Sequence, residues 1–365
     1  MLLRRSIRAL ATASLFLAGT ASASLPAPVA PAPMAPALPE SFEQAYVGTF
    51  GVKARVWVHL KRDGAKLSGR YRYSATSRED LRLEGTLNEA TRTFDLAEKN
   101  VKGGVTGHLT GTLGPDSQAT GTWTSPDGAK RVLFSLEPTG RYPEIVALPG
   151  GARIVPFLRH GDSGKGCTSN ATFPVFEGLA SKKAASALER TLKQRLRWDE
   201  PFLPENCVAD DPELPVTRES SYEVTGVRAG LLALELTHYD YTGGAHGLFG
   251  SACVVADLEK GVLQNLAHGL KPAALTELGA LVVQAFKNEH HVANLKDAGF
   301  FDDTIELSKD ATLCFTEKAG LRALEVVFQP YEVSPYAMGA PRAVVSADVA
   351  RRLFKPASAG ERLFQ

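Results

Sequence analysis

Val52-Lys53-Ala54-Arg55-Val56-Trp57-Val58-His59-Leu60 is the stretch on which the reading of the first half turns. Val52, Ala54, Val56, Val58 and Leu60 fall on one side of a period of two, and Lys53, Arg55, Trp57 and His59 on the other. Successive side chains of a strand point to opposite faces, so the pattern predicts a strand with one buried face. The turn signal Arg62-Asp63-Gly64 closes it. A second alternating run follows through Tyr71 and Tyr73, then runs at 81–87, 94–97, 105–113, 119–123 and 132–136. Turn residues recur every 8 to 12 positions or so, which predicts about eight short strands over residues 44–138, a β-meander or small barrel. Gly69-Arg70-Tyr71 and Gly121-Thr122-Trp123 suit strands that bend around a barrel. Trp57, Tyr71, Tyr73 and Trp123 have the chemistry to stack on a sugar, but strand aromatics more commonly pack in a core or pair across strands.

Residues 139–151 hold two prolines and three glycines and read as a linker. Beyond it the pattern changes to mixed helix and strand. Ser181 is placed to cap a helix to about Arg197, with Ala184, Leu188, Leu192 and Leu196 as its apolar stripe. Residues 222–227, 231–239, 251–258, 312–316 and 323–329 read as strands. Pro272 opens a second helix through Lys287, and Ser346 caps a short last one to Leu353. Residues 152–356 are therefore expected to be α+β, with helices packed on one antiparallel sheet.

The amino-terminal end has a different character. Arg4, Arg5 and Arg8 precede a short apolar run, and Ala21-Ser22-Ala23 follows it. A positive region, a short apolar region and a small-x-small site make a secretory signal peptide at residues 1–23, cleaved between Ala23 and Ser24. The run is about half the roughly 20 apolar residues a spanning helix needs. Residues 24–43 are rich in proline and alanine and read as an extended spacer. The expected mature protein is soluble, without a membrane span, and periplasmic or secreted. Taking the three arginines of residues 1–23 from 41 basic residues leaves 38 against 40 acids, a net charge near −2. Such a balance gives no electrostatic reason to bind nucleic acid.

Cys167, Cys207, Cys253 and Cys314 form an even set in an exported chain, which predicts two disulfides. Three pairings are possible, and Cys167–Cys207 with Cys253–Cys314 is favoured, the second joining two predicted strands. A zinc site lacks the usual close Cys and His spacings, so neither a metal nor a cofactor is expected.

Two motifs are left for function. In Tyr241-Thr242-Gly243-Gly244-Ala245-His246-Gly247, consecutive glycines let the backbone turn tightly and expose N–H groups to a ligand. Gln329-Pro330-Tyr331-Glu332-Val333-Ser334-Pro335-Tyr336-Ala337-Met338-Gly339 runs off a strand into an aromatic loop. Together these motifs resemble the DUF3298 domain, and residues from about Arg153 to His238 more weakly resemble the DUF4163 (PdaC-type) segment that normally precedes it. The pair forms the extracellular domain of RsiV-type anti-sigma factors, which bind lysozyme, and also occurs beside a peptidoglycan deacetylase. Neither the sigma-binding segment and spanning helix of those regulators nor the deacetylase's metal-binding catalytic domain is read in this sequence. What the resemblance implies is the binding module alone.

No catalytic residue is assigned. Gly161-Asp162-Ser163-Gly164-Lys165 imitates a protease nucleophile loop but ends in Lys165, and it also misses the G-x-S-x-G pattern. His238 and Asp240 would share a strand face and, with His246, make a conceivable acid–base or metal cluster. His290-His291 needs only a helix end to explain it. The expectation is a non-catalytic envelope binding protein using Thr242, Gly243, Gly244, His246, Tyr331 and Tyr336, with a lysozyme-type muramidase or peptidoglycan as partner. The two loops are expected to meet in space. The alternative is a cell-wall hydrolase using His246 with Asp240 and Tyr336.

Overall fold

Eight strands following one another in sequence close into an antiparallel barrel. They are β1 (Ser41–Phe50), β2 (Ala54–Asp63), β3 (Lys66–Tyr73), β4 (Leu81–Asn88), β5 (Thr93–Lys99), β6 (Val105–Leu113), β7 (Ala119–Thr124) and β8 (Arg131–Thr139). The computed structural model describes residues 38–365 except 52–53, 74–78, 140–141, 164, 197–206 and 210–215. The expected signal peptide, its Ala23–Ser24 cleavage site and the spacer up to residue 37 lie outside the described residues. Inside the described part, β1 begins at Ser41, within the stretch expected to be spacer.

The alternation in β2 does what its period requires. Val56, Val58 and Leu60 enter the barrel core with Leu67, Tyr71, Leu83, Leu96, Leu109 and Phe134. Pairing of β1 with β8, Gly48 opposite Leu136, closes the sheet and removes its edges. At Gly121 a Cβ would lie 2.1 Å from the Thr110 carbonyl oxygen of the neighbouring strand, so only glycine permits the approach there. Of the aromatics considered as sugar platforms, Tyr71 and Trp123 both donate to Glu98, at 2.5 and 2.6 Å. Thr106 donates to the other oxygen of this buried carboxylate, which makes the cluster a satisfied core network. Trp57, on the other face of β2, is buried as well. Ala45, Tyr142 and Leu158 cover it, leaving it 9% exposed.

The stretch read as a linker is docked on the barrel. The guanidinium carbons of Arg70 and Arg72 lie 4.9 and 5.0 Å from the centroid of the Tyr142 ring. Arg72 also donates to Pro143 O, and Arg70 pairs with Glu144.

The second half comprises β9 (Val146–Ala147), β10 (Arg153–Asp162), β11 (Cys167–Glu177), α1 (Lys182–Arg195), β12 (Val216–Arg228), β13 (Leu231–Tyr241), β14 (Leu248–Asp257) and β15 (Val262–Gln264). After these come α2 (Ala274–His290), β16 (Thr312–Lys318), β17 (Leu321–Val327), β18 (Arg342–Ser346), α3 (Ala347–Leu353) and α4 (Ala359–Phe364). Helices on antiparallel strands are as expected, but the strands form two sheets rather than one. One has seven strands in the order β15-β14-β13-β12-β11-β10-β9, and the other is β16-β17-β18. β11 and β12 run parallel, which an unbroken antiparallel order had not anticipated.

Strand β13 explains the layering. Leu232, Leu234 and Leu236 face α1, where Leu188 and Leu192 meet them. Leu231 and Ala233 face the opposite layer, built from α2 and the small sheet with Phe286, Phe315 and Leu324. A strand covered on both faces reads as a nearly continuous apolar run, as here. Ser181 Oγ accepts from the Ala184 backbone N–H at 3.1 Å and starts α1. The chain's last helix is α4 rather than α3, and it buries Leu363 and Phe364 against Phe315 and Phe354.

Cys167 is bonded to Cys207, and Cys253 to Cys314. The second bond ties β14 of the large sheet to β16 of the small one. Among the described residues no helix is long and apolar enough to cross a membrane.

Candidate functional site

Residues 241–247 join β13 to β14, and residues 328–341 join β17 to β18. Gly243 and Gly244 carry φ of 97° and 95°, values that L side chains rarely adopt, and a Cβ on either would meet open space. Conformation is the reason for glycine here. Tyr241 locks the turn by donating its hydroxyl to Gly244 O at 3.0 Å. Thr242, Gly243, Gly244, Ala245 and His246 are all exposed. Among the described residues none of their backbone N–H groups donates to another backbone carbonyl.

The second loop comes to the first. The His246 and Tyr336 rings are stacked, with centroids 3.7 Å apart and planes 15° from parallel. The Tyr336 hydroxyl donates to Gly247 O at 2.5 Å. His246 Nδ1 lies 3.1 Å from the same carbonyl. A carbonyl only accepts, so Nδ1 carries a proton toward it, and Nε2 lies 3.3 Å from the Tyr331 hydroxyl. Tyr331 sits at φ 69° and is 54% exposed. Phe249 meets the Tyr336 ring edge-on at 5.9 Å and supports it from below.

Gln329 fixes where the second loop leaves the sheet. β15 pairs only with residues 255–257 of β14, so the outer edge of that strand is open at Ser251. The Gln329 side-chain amide fills it: Oε1 accepts from Ser251 N at 2.9 Å and Nε2 donates to Ser251 O at 2.8 Å. One amide thereby does the work of a strand residue. Glu332 Oε2 in turn accepts from Gln329 N at 2.7 Å.

The acid–base alternative fares differently. Asp240 Oδ1 accepts from Arg218 Nε at 2.7 Å across the β12–β13 pair. His246 Nδ1, the nitrogen that a relay carboxylate would orient, is given to a backbone carbonyl instead. His238 shares a face with Asp240 and packs over Gly250, where a Cβ would lie 2.4 Å from its ring. Ser163 is a turn residue, its hydroxyl accepting from Lys165 N and Cys167 N at 3.1 and 3.3 Å. Glu235 and the two cysteines Cys253 and Cys314 gather in one place, but the sulfurs are bonded to each other and so are no metal ligands.

Arg218, Phe249 and Gln329 were not singled out as site residues from the sequence. Gln329 stands within the quoted motif, and its position at the strand exit was the available signal. Nothing local marks Arg218 or Phe249, because their roles come from cross-strand register.

The two loops fall in two neighbouring family matches. Residues 270–348 match DUF3298, a protein family of unknown function. That DUF3298 match holds Gln329, Tyr331 and Tyr336. Residues 163–249 match the family model described as deacetylase PdaC. The Gly-Gly loop therefore lies in the PdaC match, not in the DUF3298 match to which its sequence had been assigned, and the His246–Tyr336 stack bridges the two. Among solved structures, a DUF3298 family member from Bacteroides fragilis is 15% identical with a TM-score of 0.43, covering 58% of this chain and 96% of that one. A DUF3298 family protein from Pseudomonas aeruginosa is 17% identical with a TM-score of 0.40, covering 57% and 95%. No curated protein matches the chain.

Proposed function

We propose that this is an exported, non-catalytic binding protein of the cell envelope, periplasmic or secreted. In this reading residues 242–246 and 331–336 form a platform that recognises a lysozyme-type muramidase or peptidoglycan. The observation that carries the reading is the stack of His246 on Tyr336 beside an exposed Tyr331. Aromatic rings held by their neighbours offer contact area with little side-chain entropy left to lose, the usual character of binding anchors. The exposed Gly243–Gly244 backbone adds hydrogen-bond donors beside them. The matches to DUF3298 and to PdaC support the envelope-associated part of this reading.

Charge contributes less than the sequence suggested. Asp240, the acid at the edge of the first loop, is balanced by Arg218. Affinity in this reading rests on the aromatic groups. Titration calorimetry of the full mature protein with lysozyme and, separately, with soluble muropeptides tests it. Tyr331→Ala and Tyr336→Ala are expected to weaken the productive titration by about ten- to a hundredfold with folding intact. Absence of heat with both ligand classes, or affinity unchanged in both variants, contradicts the proposal.

A further inference from the structure

A cleft of about 460 Å³ opens between the barrel and the seven-stranded sheet, away from the two loops. Val47 and Trp57 of the barrel form one wall, and Arg342 of β18 closes the far side. The strand registers set the floor. Leu158 lies opposite Thr172, Asn170 opposite Glu219, and Ser221 opposite Thr237, so these residues share one face of β10, β11, β12 and β13. Leu158 is under Trp57. Asn170, Thr172, Glu219, Ser221 and Thr237 line the cleft beyond it.

Trp57 makes the cleft more than a seam. It is 9% exposed, and its indole Nε1–H is buried with no acceptor among the described residues. Native structures seldom bury a donor without a partner, so an unmatched one beside a cavity points to a group that arrives from outside. The lining says what kind. Arg342 is neutralised by Glu235, itself in the lining, and by Glu325. The other charged groups of the lining are carboxylates, which disfavour an anion. Hydroxyl, amide and carboxylate groups on the floor face an apolar wall of Val47, Trp57 and Pro143. This pairing suits a molecule with hydroxyls on its rim and C–H groups on its faces. The volume falls within the 300–1,000 Å³ or so of ordinary small-molecule sites.

We propose that the cleft between barrel and sheet is a second binding site, for a neutral sugar of one or two rings, with the Trp57 indole N–H donating to a ligand hydroxyl or ring oxygen. It is independent of the loop platform. Both sites belong to one chain, so a protein that docks at the loops can carry a saccharide at the barrel junction.

Tryptophan fluorescence and calorimetry of the full mature protein with cellobiose, maltose and N,N′-diacetylchitobiose at millimolar concentration test the proposal. At least one disaccharide is expected to bind and shift the emission. Trp57→Phe, which keeps a ring but loses the donor, should weaken that binding about tenfold, the worth of one buried hydrogen bond. Asn170→Ala, a change on the half-buried floor, should weaken it too if Trp57→Phe fails to fold. Tyr336→Ala should leave it unchanged. No binding by any of the three sugars overturns the proposal, as does wild-type affinity in both cleft variants. Sugar binding that Tyr336→Ala abolishes and the cleft variants spare would support the loop platform and contradict this site.

Discussion

Gln329 carries the clearest single-residue role outside the aromatic stack. Its amide makes two hydrogen bonds to the backbone of the buried residue Ser251, and through them the exit of β17 is tied to the open edge of β14. Gln329→Met keeps the length of the side chain and removes both partners. It is expected to cost about 1–3 kcal/mol, because Ser251 N–H and C=O are then buried without partners. Urea denaturation checks this, and an unchanged midpoint would show that water replaces the amide without loss. The sequence displayed Gln329 but not its purpose, since an amide beside a proline reads as loop chemistry until the partner strand is known. The glycines were more legible. Gly243 and Gly244 do adopt the left-handed region that a Gly-Gly pair suggests. Trp57 was the least legible, because alternation assigns it to a face and cannot say whether another layer covers that face.

At the scale of elements, periodicity was the strong signal wherever one face meets a core. The strands of the barrel and the two longer helices follow from it. It was weak where elements are short or pairing is remote. α4 has six residues and lies past Pro356, with Ser358 Oγ accepting from Glu361 N at its start. Six residues hold under two turns, too few for a helical period to declare itself. The division of strands into two sheets is set by which edges pair, which no local pattern encodes. α4 is nevertheless anchored. Arg362 donates to Asp257 Oδ2 at 3.3 Å and to Ala229 O at 2.6 Å. Burial pushes the Asp257 carboxyl up, but the Lys260 backbone N–H and the Arg362 guanidinium outweigh it and hold the group below its usual value. A carboxylate lowered in the folded state adds stability that is complete above its unfolded value, about 3.9, and is lost as pH falls through the folded one. Asp257→Asn should therefore destabilise the protein by about 1–3 kcal/mol at neutral pH. The difference from wild type should shrink in acid, as pH falls below the unfolded value and the wild-type carboxyl itself takes up a proton. Thermal denaturation at both pH values decides; a pH-independent gap would mean that the loss is one of packing, not of charge.

Over the whole chain, three layers of organisation converge on two places. The barrel is joined to the sheet through Tyr142 and the arginines that flank it, and the cleft lies at that junction. The two sheets are joined by Cys253–Cys314 and by Gln329, and this holds the loops at the β13–β14 and β17–β18 connections in register with each other. A platform built from segments some 85–90 residues apart in sequence is thus kept in one arrangement by the fold beneath it. The motifs were expected to meet because both loops flank strands predicted for one sheet; they meet instead from two sheets, β13–β14 of the large one and β17–β18 of the small one. The partner of Asp240 was not legible, since cross-strand register with Arg218 decides it. The most direct test of the platform is hydrogen exchange read by mass spectrometry on the full protein, with and without lysozyme or muropeptides. Slowed exchange confined to residues 241–249 and 329–339 is expected with one of these ligands. No protection with either, or protection that spares both loops, would contradict it.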